Sequence, residues 1–148
     1  MTRRGDRPLR QGFRTASDGA SAVEFALIAP VFLLLVFGAI AYGLYFGAAH
    51  SVQQLAADAA RAAVAGLSDP ERDALARRFI AANGDSYVLI RGALLDIDTV
   101  PGTADPDQFI VRLTYDASHL PIWNLYAPLP LPGERTITFS STIRHGGV

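Results

Sequence analysis

The sequence predicts an α+β chain. A long N-terminal transmembrane helix continues into a small extracytoplasmic domain with a second helix and an antiparallel sheet of about four strands. Three observations carry this. Residues 25–49 are 25 consecutive residues without Asp, Glu, Lys, Arg or His. Apolar residues recur at helical spacing through 50–83, and beyond Gly84 the period changes to two. The chain divides into a cytoplasmic Arg-rich leader (1–19), the transmembrane helix with its extension (20–66) and an extracytoplasmic α+β domain (67–148).

The leader sets the orientation. All 13 cationic side chains are Arg, and five of them (Arg3, Arg4, Arg7, Arg10, Arg14) precede the apolar run, opposed only by Asp6 and Asp18. Beyond the run only Arg61 follows within about 15 residues, with Asp58 close by. The positive-inside rule then puts residues 1–19 in the cytoplasm and 50–148 outside it. A net charge of −1 provides no general attraction to nucleic acid, so no nucleic-acid partner is expected. Without cysteine there is no disulfide and no thiolate metal site, and the redox compartment stays open.

The span follows. Twenty-five helical residues measure about 37 Å, enough to cross a hydrocarbon layer of about 30 Å with some tilt. A secretory signal peptide is the competing reading, and "AIA" at 39–41 imitates a cleavage site. Its apolar region would be about 7–15 residues, shorter than this one. Tyr42, Tyr45 and Phe46 fall in the outer half, where aromatic rings anchor at the interface. Pro30 either loosens the helix around 20–30 or merely sits near its start. Ala39, Gly43, Gly47 and Ser51 recur every four residues. They form a small-residue groove for helix packing in lipid, or a chance pattern in an Ala-rich chain.

Glu24 at the start of this run needs a reason. At the cytoplasmic edge it stays hydrated and is favoured by the helix dipole; deep in the bilayer it costs at least about 2.5–3.5 kcal/mol. Gly19 and the small residues after it offer an accessible backbone to a peptidase. After a cut at Gly19, Ala20 carries a new ammonium and Glu24 is the fifth residue. An ammonium and a carboxylate on adjacent, staggered helices then neutralise each other away from water and set the register between subunits.

"GASAVEFALIAPVFLLLVFG", followed by "AYGLYF" and "QQLAADAARAAVAG", resembles the TadE-like family: minor pilins or pseudopilins of the tight-adherence (Flp) branch of type IV pilus systems. The resemblance covers about residues 16–66. It implies that Gly19 precedes the prepilin-peptidase cut, that Ala20 is the first mature residue and that Glu24 is the fifth-position assembly Glu. Phe25 stands where the major Flp pilins have Tyr. Ala41-Tyr42-Gly43 stands where members often carry Glu-Phe-Gly, so that second carboxylate is absent. Asp18 puts an acid beside the cut.

The resemblance further implies a single-pass protein of the bacterial cytoplasmic membrane that is trimmed and then used in pilus assembly, either in the filament or at its base. Its expected partners are a prepilin peptidase, other pilin-like subunits, Tad pilus assembly proteins and membrane lipid. It implies no enzymatic activity and no cofactor. A reading from another class is an uncleaved, permanently anchored envelope protein whose outer domain binds a ligand or scaffolds a complex.

Outside the membrane, Val52, Leu55, Ala56, Ala59 and Ala63 trace one helical face, and Asp58 with Arg61 can pair on its flank. Gly66 marks the stop. "SDPERDALARRFIAANG" is a second helix with a Ser68/Glu71 capping box and a face of Leu75, Phe79 and Ala82. Strands are expected at 86–92, 93–100, 108–116 and 134–144, the first mostly buried and joined to the second by a turn at Gly92. Each of the others has one apolar and one polar face, which suits a sheet packed on helices. Residues 119–133 hold four Pro and the only Trp. They form either a structured loop over a sheet edge or a protein-contact surface, since Trp and Tyr anchor interfaces.

No catalytic or metal site is expected. His50, His119 and His145 lack partners at useful spacing. Asp96/Asp98 and Asp105/Asp107 read as solvated acids, because calcium takes about six to eight oxygens. There is no nucleophile elbow and no phosphate loop.

Overall fold

The structure is a computed structural model that describes residues 14–101, 107–125 and 128–144. The leader Arg residues through Arg10, with Asp6, Asp105 and His145, lie outside the described residues. Helix α1 (Arg14–Ala63) is 50 residues long and runs unbroken through Pro30. Helix α2 (Asp69–Asn83) folds back along its outer end. Strands β1 (Leu95–Pro101), β2 (Gln108–Asp116) and β3 (Thr136–Arg144) form an antiparallel sheet in the order β1-β2-β3.

The alternation read in the sequence places the sheet faces correctly. Phe109, Val111, Leu113, Tyr115 and Ile137 are buried, while Asp96, Asp98, Arg112, Thr138, Ser140 and Thr142 face out. Register aligns like with like: Leu113 pairs with Phe139 and Asp98 with Arg112. Each large apolar side chain buried here contributes about 1.5–3 kcal/mol. The Arg112–Asp98 ion pair, at 3.5 Å on the solvent face, contributes little.

The inner face of the sheet packs on α1, which presents Val52, Leu55, Ala56, Ala59 and Ala63 as one buried stripe. Because most of these are Ala, backbones approach closely. Asp58 and Arg61 pair on the flank as expected.

The sheet has three strands rather than four. Residues 86–92 do not join it. A 3₁₀ turn at Gly84–Ser86 and another at Gly92–Leu94 flank a segment that crosses α1. Its apolar residues point in different directions: Ile90 is buried, whereas Val88 is exposed. Leu89 has a left-handed backbone, φ 64°, which no strand residue adopts. The backbone is satisfied by other means. The Tyr115 hydroxyl donates to the Leu89 carbonyl at 2.9 Å and accepts from the Arg91 N–H at 3.3 Å. Gly92 opens a 3₁₀ turn, its N–H donating to Asp85 at 2.6 Å, and makes no hairpin.

Two helix details also differ. Ser68 occupies the N-cap of α2 but makes no side-chain cap; Glu71 instead accepts the N–H of Leu67 at 2.9 Å. The buried face of α2 is Arg72, Ala76 and Ile80, with Phe79 and Leu75 at its margin and Ala82 exposed. Gly66 lies where α2 presses on the end of α1: a Cβ there would meet the Arg72 backbone N at 2.8 Å.

Candidate functional site

α1 divides into two lengths. From Ala41 to Ala63 it is built into the domain, with Ala41, Ala48, Ala59 and Ala63 fully buried. From Gly19 to Leu33 it touches nothing that buries it. Eight large apolar side chains between Val23 and Leu35 are exposed, among them Phe25 at 72% and Leu27 at 74%. They point in every direction around the axis. A helix apolar all round belongs inside a core or inside a membrane. The stretch is long and apolar enough to cross one and is compatible with a single-pass membrane protein.

At the start of this bare length sit the residues singled out above. Gly19 and Ala20 are exposed and helical, and a Cβ on Gly19 would meet no atom within 4 Å. Gly19 weakens the helix locally by about 1 kcal/mol relative to Ala. Glu24 is exposed one turn later, beside Phe25. Among the described residues none pairs with it, so any partner comes from outside the described chain.

The small-residue groove is split by the domain. Ala39 and Gly43 remain exposed, with open space at Gly43. Gly47 faces the domain: a Cβ there would lie 3.2 Å from Leu89 Cδ1. Ser51 lines a surface hollow with Tyr87 and Val88. The outer half of the groove thus seats the strained segment around Leu89, and the inner half stays open.

Further out, the Tyr87 hydroxyl donates to Asp58 at 2.6 Å and ties the segment to α1. That bond, with Arg61 beside it, holds the Asp58 carboxyl below its ordinary value. Burial and the Asp58 charge push the Tyr87 phenol up to about 12. Asp73 of α2 is likewise lowered, by the Thr99 hydroxyl and by Arg77, which fastens α2 to β1. On the other flank an open cleft of about 350 Å³ separates α1 from β3, lined by Tyr45, Phe46, His50, Gln53, Glu134 and Phe139. Tyr45 and Phe46 meet edge to face.

The region 119–133 lies at the same end of the domain as the bare helix. Leu120, Ile122 and Leu129 are buried, and the Trp123 indole N–H donates to the Ala117 carbonyl at 2.8 Å. Leu129 reaches α1 itself, its Cδ1 lying 3.5 Å from where a Cβ on Gly38 would be. Sequence reasoning missed this contact. The signal was present as a run without charge from 120 to 133, whose location only the fold supplies.

The family comparison falls on the helix just described. Residues 19–61 match the family model described as TadE-like protein. This stretch is TadE-like. The match opens at Gly19, the last residue of the leader expected from the sequence, and closes at Arg61, two residues before α1 does. No curated protein and no solved structure matches the chain. The TadE-like region supports a pilin-like protein associated with the Tad pilus.

Proposed function

We propose that the chain is the precursor of a TadE-like minor pilin or pseudopilin. A prepilin peptidase cuts it after Gly19, and the mature chain serves assembly of a Tad/Flp type IV pilus for surface adherence. It is held in the bacterial cytoplasmic membrane with residues 1–19 inside and the α+β domain outside. It acts by packing with other pilin-like subunits and Tad assembly proteins and has no enzymatic activity of its own. The observation that carries this reading is that the TadE-like match, residues 19–61, takes in the bare apolar length of α1 and its one acid, Glu24, which has no partner among the described residues.

The roles follow from chemistry. Cleavage removes the Arg cluster and leaves an ammonium on Ala20. Glu24 of one subunit neutralises the ammonium of a neighbour, and Phe25 packs beside the pair. The exposed Ala39–Gly43 face allows close approach of a second helix. One observation favours the uncleaved, anchored alternative: the Gly19–Ala20 bond is helical, so a peptidase has to unwind it first.

The test is the intact mass of protein extracted from membranes of cells that have the peptidase. The expected chain begins at Ala20. Gly19→Lys places a bulky cation beside the scissile carbonyl and is expected to leave the full-length precursor. A wild-type chain that keeps its leader sinks the proposal.

A further inference from the structure

We propose that the uncharged loop formed by residues 120–125 and 128–133 is a second membrane-contact element, resting in the headgroup–hydrocarbon boundary of the leaflet that faces the domain and thereby fixing the depth of α1. The proposal rests on the reading of α1 as a membrane span.

Hydropathy and packing disagree over the length of the span. Hydropathy extends the span to Ala49, yet one face of α1 is packed in the domain from Ala41 onward. The same helix surface cannot face both lipid and the packed core. Leu129 meets α1 at Gly38, in the stretch where Leu34 and Phe37 also begin to pack on the core. The loop carrying Leu129 therefore lies at the level where α1 leaves the bilayer.

Its composition fits that level. No charged residue occurs from Leu120 to Pro132, and Glu134 and Arg135 close the run. Pro128, Pro130 and Pro132 alternate with Leu129 and Leu131. Proline has no N–H, so each alternate residue presents one fewer donor to an apolar medium that cannot satisfy it. Pro121, Pro128 and Pro130 are exposed, while Leu129 is buried and Leu131 half-buried. The loop thus offers a rigid apolar surface that stays anchored to the core.

Trp123 is half-exposed, with its indole N–H satisfied and Arg135 stacked 5.0 Å from its ring. An amphipathic ring beside a guanidinium suits the headgroup region. A protein partner has no comparable claim, because the loop is continuous with a helix surface that faces lipid.

This placement has a consequence at the far end. With the outer boundary at Gly38, the inner one falls about 20 residues earlier, near Asp18 and Gly19. Glu24 is then about 8 Å inside the hydrocarbon rather than at its edge. Pairing with an ammonium becomes a stronger requirement.

Trp123 is the only Trp, so intrinsic fluorescence reports on this loop alone. The experiment uses the full chain in phosphatidylethanolamine–phosphatidylglycerol vesicles containing lipids brominated at defined depths. A dye on Val31→Cys, in a chain with no native cysteine, reports α1 separately. The expected result is that bromines near the carbonyl end quench Trp123 about twofold more than bromines near the methyl end, consistent with seating at the interface. The dye at 31 is quenched by the deep bromines. Aspartate at the exposed Pro128 and Pro130 (Pro128→Asp with Pro130→Asp) lowers Trp123 quenching without changing the unfolding temperature of the domain.

Trp123 quenched by aqueous acrylamide and by no lipid, with residue 31 still deep, overturns the proposal and leaves the span standing. Trp123 quenched by neither also overturns it and places the loop against another protein copy. A dye at 31 outside lipid removes the span and this proposal together.

Discussion

The two lengths of α1 invert the usual relation between size and burial. In the enclosed length, Ala41, Ala48, Ala56, Ala59, Ala60 and Ala63 are at most 1% exposed. In the bare length, Phe25, Leu27, Phe32 and Leu35 all stand more than 60% exposed. Water-facing helices bury their large residues and tolerate small ones outside. Here the small residues are those that let a sheet and a second helix come close, and the large ones stand bare. On the reading of α1 as a membrane span, one continuous helix serves two solvents, and residue volume, more than hydropathy, marks the change between them.

The largest expected effect tests the one charged residue of the bare length. Glu24→Ala removes one partner of a poorly solvated pair and leaves a neighbour's ammonium uncompensated, a cost of about 3–5 kcal/mol per contact where the site is dry. It also eases insertion of the monomer. The expected outcome is a variant that is made, inserted and cleaved near normally but does not co-purify with sheared filaments or other pilin-like subunits. Glu24→Asp falls between, because the carboxylate remains about one methylene short. Normal co-assembly of Glu24→Ala returns Glu24 to an interfacial residue favoured only by the helix dipole.

Next comes the inversion itself. Ala59→Leu forces extra volume into the enclosed length and is expected to cost about 1–3 kcal/mol in denaturant unfolding of the detergent-solubilised chain. Ala26→Leu, the same change in the exposed length, is expected to leave the unfolding midpoint where it was. Equal effects at the two positions break the comparison.

The smallest effect concerns the tether from the enclosed length to the segment around Leu89. Tyr87→Phe deletes the bond to Asp58, worth about 1 kcal/mol. The Tyr87 phenol is raised from 10.0 to about 12, so its contribution is complete below pH 10 and fades as pH rises toward 12. The Asp58 carboxyl is lowered from 3.8, so its contribution is complete above that value and fades as pH falls through the lowered one. The stability difference between wild type and Tyr87→Phe is therefore expected to be flat from about pH 5 to 9 and to shrink at both ends. A difference that does not change with pH separates the tether from these two groups.

Much of this was readable before the fold was known, where neighbours in sequence decide the outcome. β2 and β3 alternate cleanly because one face meets α1 and the other water, and the stripe from Val52 to Ala63 repeats with the helical period. Glu24 stands out because a charge borders a run that has none, and Gly19 because small residues separate it from that charge. Residues 86–92 were misread because Val, Leu and Ile in a row look the same in a strand and in a folded crossing. What decides that segment is remote: Tyr87 meets Asp58, 29 positions away, and Leu89 meets Gly47. The buried face of α2 shifted for a similar reason, since the fit of Arg72 against Gly66 sets the rotation of that helix. The loop 119–133 showed its chemistry in the sequence but not its place.

α1 and β3 lie side by side, with Tyr45 to Gln53 facing Glu134 to Phe139 across the cleft. The domain grips α1 over 23 residues, about 34 Å of axis. A tensile load applied to the bare end of the helix therefore acts parallel to this interface. The contacts from Ala41 to Ala63 are strained together in shear, and none is peeled open ahead of the others. If the chain works as a subunit in the way proposed, force would pass from its helix to its domain as in a lap joint, through the whole length of the overlap.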